Sequence, residues 1–184
     1  MNKRRTGHEL RLQEPRAELG ESYRELVREF VEGGEELVPF PLTFPHDDFP
    51  EFLDRLSACS RGEKLPPGFV AHSTYWLVHG NTTVVGVSNL RHRLTDALRR
   101  YGGHIGYGIR PSARGNGYGT EILRQTLARA EGIGLSQVLL FCGKSNEASA
   151  RVIRRNGGAL ESEEFLPEQG KVIQRYWIPL GGPP

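Results

Sequence analysis

The sequence predicts one α/β domain of α+β type: a mixed, mostly antiparallel sheet flanked by helices on both faces. Three observations carry that expectation. Short β-branched and aromatic runs dominate the first half, strand–helix–strand–helix order fills the centre, and two strand-like runs close the chain. The length of 184 residues suits one domain. We bound it at 8–181, with a core over 69–181 and a helical N-terminal part over 1–68.

In chain order, residues 8–16 form a first strand. Ser22 caps a helix that turns Tyr23, Leu26, Val27, Phe30 and Val31 inward, and Gly33-Gly34 ends it. Pro39 to Pro45 is an extended connector. Asp48 to Ser60 is a second helix packing Phe49, Phe52, Leu53 and Leu56. A turn-rich loop with Pro66-Pro67 follows. Ser73 to His79 and Thr82 to Ser88 make a hairpin about Gly80-Asn81, and a short helix starts at Thr95. His104 to Arg110 is a strand that Pro111 terminates, because proline has no N–H for a ladder. Ile122, Leu123, Leu127 and Ala130 keep helical spacing over 120–130. Ser136 to Cys142 is a buried strand. Asn146 to Asn156 is a helix with Ala148, Val152 and Ile153 inward. Ala159 to Phe165 and Lys171 to Leu180 form a closing antiparallel pair, and the last residues form a disordered tail.

Composition narrows the function. The chain is 37% hydrophobic and 25% charged, enough for a globular core. A net charge of +2, with basic residues in isolated pairs, argues against a nucleic-acid partner. No run reaches the ~20 apolar residues of a membrane span, and no apolar core follows the basic N-terminus. Two distant cysteines, Cys59 and Cys142, fit a reduced, cytoplasmic setting and no metal site.

The chemistry concentrates in Tyr107-Gly-Ile-Arg-Pro-Ser-Ala-Arg-Gly-Asn-Gly-Tyr-Gly-Thr120. It reads as strand, turn and helix start. Gly115, Gly117 and Gly119 remove side chains where a backbone takes positive φ or comes close to a ligand. A helix start offers free N–H groups and the positive end of its dipole, a natural phosphate site, and Arg114 adds a fixed charge. A glycine-rich hairpin is the plain alternative. The spacing G-x-G-x-G is not the dinucleotide fingerprint. Gly143-Lys144-Ser145 is not the end of a phosphate-binding P-loop, because its first glycine would fall at Val138.

The pattern Arg-x-x-Gly-x-Gly (Arg114, Gly117, Gly119) resembles the pyrophosphate loop of the GCN5-related N-acetyltransferase (GNAT) family. The resemblance spans roughly Val84 to Leu180. It includes the strand His-Ile-Gly-Tyr-Gly-Ile-Arg110 ending at Pro111, the helix opened by Asn146, and its close at Asn156-Gly157-Gly158. Arg91-His-Arg-Leu94 followed by Gly-Gly-His-Ile-Gly-Tyr-Gly-Ile-Arg-Pro111 is similar to a branch of uncharacterised acetyltransferases in that family.

The resemblance implies a GNAT-like acyl-CoA N-acyltransferase fold. It implies direct acetyl transfer from acetyl-CoA, as cosubstrate, to a primary amine, without metal. The alternative is a non-catalytic module that binds CoA or acyl-CoA. Diphosphate would lie on the N–H groups of Gly115, Asn116, Gly117, Tyr118, Gly119 and Thr120, beside Arg114. The pantetheine arm would pair with Tyr107, Gly108 and Ile109, and Asn146 would hold its other side or simply cap its helix. The family's thiol-protonating tyrosine and its strand glutamate are replaced here by Ile153 and Phe141. His104 as base, and Tyr107 or Tyr176 as acid, are the candidates that remain. Arg91 and His92 stand where the family's acceptor pocket opens. Arg91 is either a clamp for an acceptor carboxylate or a solvated loop cation. A small amine or a peptide amine would serve as partner, and the family's habit of dimerising allows a homodimer.

Overall fold

The computed structural model describes residues 10–181. Leu10–Gln13 forms strand β1, His72–His79 forms β2, Thr83–Arg91 forms β3 and Ile105–Ile109 forms β4. They hydrogen-bond in the order β1-β2-β3-β4, each pair antiparallel. Gln137–Gly143 forms β5, Ala159–Leu166 forms β6 and Lys171–Pro179 forms β7, paired as β5-β7-β6 and also antiparallel. Residues 8 and 9 of the expected first strand, and 182–184 of the expected disordered tail, lie outside the described residues.

Helices flank both faces. Gly20–Glu32 (α1) and Phe49–Arg61 (α2) cover one side, packing Tyr23, Leu26, Phe30, Phe49, Phe52 and Leu56 on Trp76, Val78, Val84 and Val87. Tyr23 stacks on Trp76 with ring centroids 4.7 Å apart. After the short α3, Asp96–Tyr101, come α4, Tyr118–Gly132, and α5, Glu147–Arg155. Ile122, Leu123, Leu127 and Ile153 bury against Leu77, Val85, Ile105, Leu140 and Tyr176 on the other side. Two apolar layers thus share the strands between them, each a separate reason for the sheet to form.

Several local readings are corrected. Ser22 does not cap α1. The helix begins at Gly20, and the Ser22 hydroxyl instead accepts from Val84 N–H at 2.9 Å, anchoring the helix to β3. Val31 is 60% exposed rather than inward, and Ala148 is exposed. The proline-rich connector is not wholly extended: a cis Val38–Pro39 bond leads into a 3-10 turn at Phe40–Thr43. β3 continues three residues past Ser88, so Arg91 ends a strand rather than sitting in a loop. Asp48 is the N-cap of α2 rather than its first residue, accepting from Glu51 N–H at 3.0 Å, and Gly62 at φ +77° closes the helix.

Candidate active site

The sheet is interrupted between β4 and β5, and His104 marks where the two part. Its N–H donates to the Leu139 carbonyl at 2.7 Å, and its Nδ1 accepts from Leu139 N–H at 2.9 Å. Beyond that clamp, among the described residues, no ladder joins β4 to β5. The backbone of β4 faces both ways. Arg91 N–H donates to the His104 carbonyl and Arg110 N–H to the Val85 carbonyl, so the residues in phase with Arg110 bond β3. By strand alternation, the backbone groups of Tyr107 and Ile109 point away from β3, into the gap.

That gap opens into a cavity of about 660 Å³. One wall is Tyr107, Gly108 and Ile109; the floor is the start of α4; the far wall is Asn146, Ser149 and Val152 of α5; α1 contributes Phe30. The glycine turn meets the cavity as the local sequence requires. Gly115 and Gly117 sit at φ +82° and +79°, where a Cβ is strained, and Gly117 is the N-cap of α4. Gly119 is needed for space, since a Cβ there would stand 3.1 Å from Val152 Cγ2. Among the described residues, the N–H groups of Gly115, Asn116, Gly117, Tyr118 and Gly119 donate to no protein acceptor. Every residue singled out for the cofactor lines this cavity except Asn116, whose amide turns back to the Ala113 and Arg114 carbonyls. Asn146 Oδ1 accepts from Ser149 N–H at 3.0 Å, so it caps α5 while also facing the cavity.

Charges at the mouth are arranged by contacts remote in sequence. Arg114 does not point freely at the turn. Its Nη1 and Nη2 bind Glu35 at 2.9 and 2.7 Å, and its Nε donates to the Ile109 carbonyl at 3.2 Å. The Arg114 hydrogen bonds hold the Glu35 carboxyl below the usual carboxylate range. Glu29 of α1 accepts from Arg110 Nε at 2.6 Å and from the Ser112 backbone and hydroxyl, both at 2.9 Å, which fixes α1 against the turn. Arg151 and Arg155 of α5 add two cations to the wall. Lys144 faces elsewhere, paired with Glu163 at 2.6 Å.

A polar group stands between the strands. The Tyr107 hydroxyl and Ser149 Oγ are 2.9 Å apart. Burial pushes the Tyr107 phenol up to about 12, against the opposing Ser149 hydrogen bond, so it keeps its proton at any ordinary pH. Ser149 escaped the sequence reading. Its signal was its place three residues after Asn146, inside the helix already assigned to the cofactor. Tyr176 is fully buried and donates to Gln174 at 2.8 Å, outside the cavity lining.

The structure does not bring His104 to the cavity. It is 6% exposed, its Nδ1 lone pair is taken by Leu139, and burial, then Arg99 and Arg91, lower its pKa to about 4. The ring thus stays neutral with its proton on Nε2, and its edge lies toward Trp177. Arg91 and His92 lie together at the end of β3, also away from the cavity. Arg91 Nη1 donates to the Gly102 and Gly103 carbonyls at 3.1 and 2.9 Å, and His92 Nε2 is 2.8 Å from Ser73 Oγ.

The sequence profile of the Acetyltransferase (GNAT) domain matches residues 21–159. The chain belongs to that family, and with it to the acyl-CoA-dependent N-acyltransferases. Solved structures share the fold at low identity. The Salmonella typhimurium acetyl transferase that modifies the N-terminal serine of ribosomal protein L7/L12 is 17% identical, with a TM-score of 0.65 over 94% of this chain and 95% of that one. The Microcin C7 self immunity acetyltransferase MccE, solved with acetyl-CoA and AMP, is 16% identical, with a TM-score of 0.66 over 94% and 93%. The dodecameric spermidine N-acetyltransferase of Vibrio cholerae is 12% identical, with a TM-score of 0.60 over 92% and 93%. No protein of curated function matches the chain in sequence.

Proposed function

We propose that the protein transfers an acetyl group from acetyl-CoA to a primary amine, by direct transfer within a ternary complex. The observation that carries this reading is the row of unpartnered main-chain amides at Gly115 to Gly119, opening into the same cavity as the unpaired edge of β4. The residues fit the cosubstrate. Five free N–H groups at a helix start suit a diphosphate, Arg151 and Arg155 supply further positive charge, and the Tyr107–Ile109 edge offers an extended arm the pairing that a neighbouring strand would give.

Acetyl-CoA supplies the activated acetyl group, and the protein supplies orientation, polarisation and a proton. The Ile109 N–H, directed into the gap, is placed to donate to the acyl oxygen as negative charge grows there. The Tyr107 hydroxyl, hydrogen-bonded to Ser149, is the protonated group positioned to give a proton to the departing sulfur, in place of the tyrosine that Ile153 displaces; the attacking neutral amine releases one N–H proton to solvent as the C–N bond forms and the C–S bond breaks, and solvent returns the proton to Tyr107. His104 contributes by holding β4 to β5 where the gap begins. No metal-binding cluster of His, Cys, Asp or Glu occurs among the described residues, and the scheme asks for none.

The test is calorimetric titration with acetyl-CoA and with CoA, paired with release of free thiol over a panel of primary amines. Saturable binding and amine-dependent thiol release are expected. Binding with no thiol release from any amine would make the protein a CoA-binding module. Absence of binding would overturn both readings.

A further inference from the structure

The start of β2 and the end of β3 enclose polar groups that the fold itself does not satisfy. His72 stands opposite Arg91 and Thr74 opposite Asn89, all on the face covered by α1 and α2. His72 and Asn89 are each 1% exposed. The Asn89 amide nitrogen lies 2.9 Å from His72 Nδ1, 3.1 Å from Thr74 Oγ1 and 3.3 Å from the Ser73 carbonyl oxygen. A carbonyl only accepts, which fixes the orientation of the amide. His72 Nδ1 is then the bare nitrogen, and Nε2 carries the proton. Among the described residues that Nε2–H has no acceptor and Asn89 Oδ1 has no donor. Buried polar atoms are nearly always paired, so a stranded donor and a stranded acceptor in one cluster point to something that completes them.

Arg91 supplies the charge. It is half-buried, and among the described residues no carboxylate lies within 4.0 Å of it. Only Nη1 is occupied, by the two loop carbonyls, which leaves Nε and Nη2. The Phe40 ring closes the group from outside. It meets His72 edge-on at 4.9 Å and lies 5.7 Å from the Arg91 guanidinium. Phe40 in turn touches Phe69, which is 47% exposed, so an aromatic rim reaches the surface.

The cluster lies one strand from the gap, on the β3 side of β4. Asn89 pairs with Gly106 of β4, and Gly106 and Gly108 are the positions over which Pro39 and Val38 pass on the way to Phe40. Val38 itself lines the cavity.

We infer that this cluster is the subsite for the acceptor and that it takes an amine bearing a carboxylate. Arg91 and the His72 Nε2–H hold the carboxylate, and Asn89 Oδ1 accepts an N–H of the same molecule. A polycation such as spermidine would meet the Arg91 charge instead. The inference rests on the acetyl-transfer reading and adds to it the class of acceptor. An acceptor enters by displacing Phe40, which lies against both His72 and Arg91.

The experiment compares the proteinogenic amino acids and glycyl dipeptides with their carboxamides, which keep the amine and lose the carboxylate, and with spermidine. The readout is kcat/KM for thiol release. At least one carboxylate-bearing acceptor is expected to exceed its carboxamide about 10- to 100-fold. Arg91→Gln is expected to abolish that preference while leaving the acetyl-CoA Kd unchanged. Binding of the same amino acids to the CoA-loaded protein, followed by NMR, reads the subsite independently of turnover. Equal use of acids and carboxamides, faster use of spermidine, or an Arg91→Gln enzyme that keeps its preference would each overturn the inference. So would a folded, CoA-loaded protein that neither binds nor acetylates any member of the acid panel. In all of these, acetyl-CoA binding persists; its loss in the wild-type protein would instead count against the transferase reading itself.

Discussion

At the scale of single residues, the site depends on groups whose meaning changes with burial. Tyr107 is the clearest case. Its hydroxyl sits on Ser149 and stays protonated. Tyr107→Phe is therefore expected to lower kcat roughly a hundredfold with little change in acetyl-CoA affinity, checked by steady-state kinetics and titration. A mutant with unaltered kcat would remove Tyr107 from the chemistry. Gly117→Val places a Cβ at φ +79°, straining the turn by roughly 1–2 kcal/mol, and should weaken acetyl-CoA binding about tenfold or more while the protein stays folded. Gly117 was legible from sequence because φ-permissive residues at a helix start declare themselves locally. His104 was not. The family resemblance offers it as a titrating base, whereas Leu139, 35 residues away, takes the lone pair a base would need.

At the scale of elements, the α4 turn and the α5 cap were readable because their signals lie within a few residues. Contacts between elements were not. Ser22 looks like a cap until Val84 is placed beside it, and nothing near Glu35 in sequence points to its pairing with Arg114, 79 residues on. Phe40–Thr43 folds as a turn because the connector must cross β4 at Gly106 and Gly108, a constraint invisible in the run of prolines. The Glu35–Arg114 pair gives an element-level prediction. The turn after α1 parks a carboxylate on the arginine beside the proposed diphosphate site, so Glu35→Gln should tighten acetyl-CoA binding by roughly two- to fivefold, more at low salt. Calorimetry at two ionic strengths checks this; weaker binding by the mutant would mean that Glu35 positions Arg114 rather than competes for it.

At the scale of the whole molecule, buried histidines tie stability to pH. Burial, reinforced by Arg91 for both and by His92 for His72 or Arg99 for His104, lowers the pKa of His72 and His104 to about 4, below the 6.5 of an exposed ring. The unfolded chain therefore binds these protons first. The stabilisation is complete above about pH 6.5 and is lost as pH falls toward 4, by about 1–2 kcal/mol per histidine at pH 5. Urea denaturation at pH 7.5 and 5.0 should show the loss, and equal midpoints would refute it. The parting of β4 from β5 has a further consequence. A sheet with an unfilled slot at its centre leaves the amides of Tyr107 and Ile109 without a strand beside them, and under the proposed function a carrier lying there would act as a borrowed rung. Loading then raises the melting temperature by mass action and slows hydrogen exchange at those two amides first. The endurance of the folded chain thereby becomes a gauge of how much carrier surrounds it.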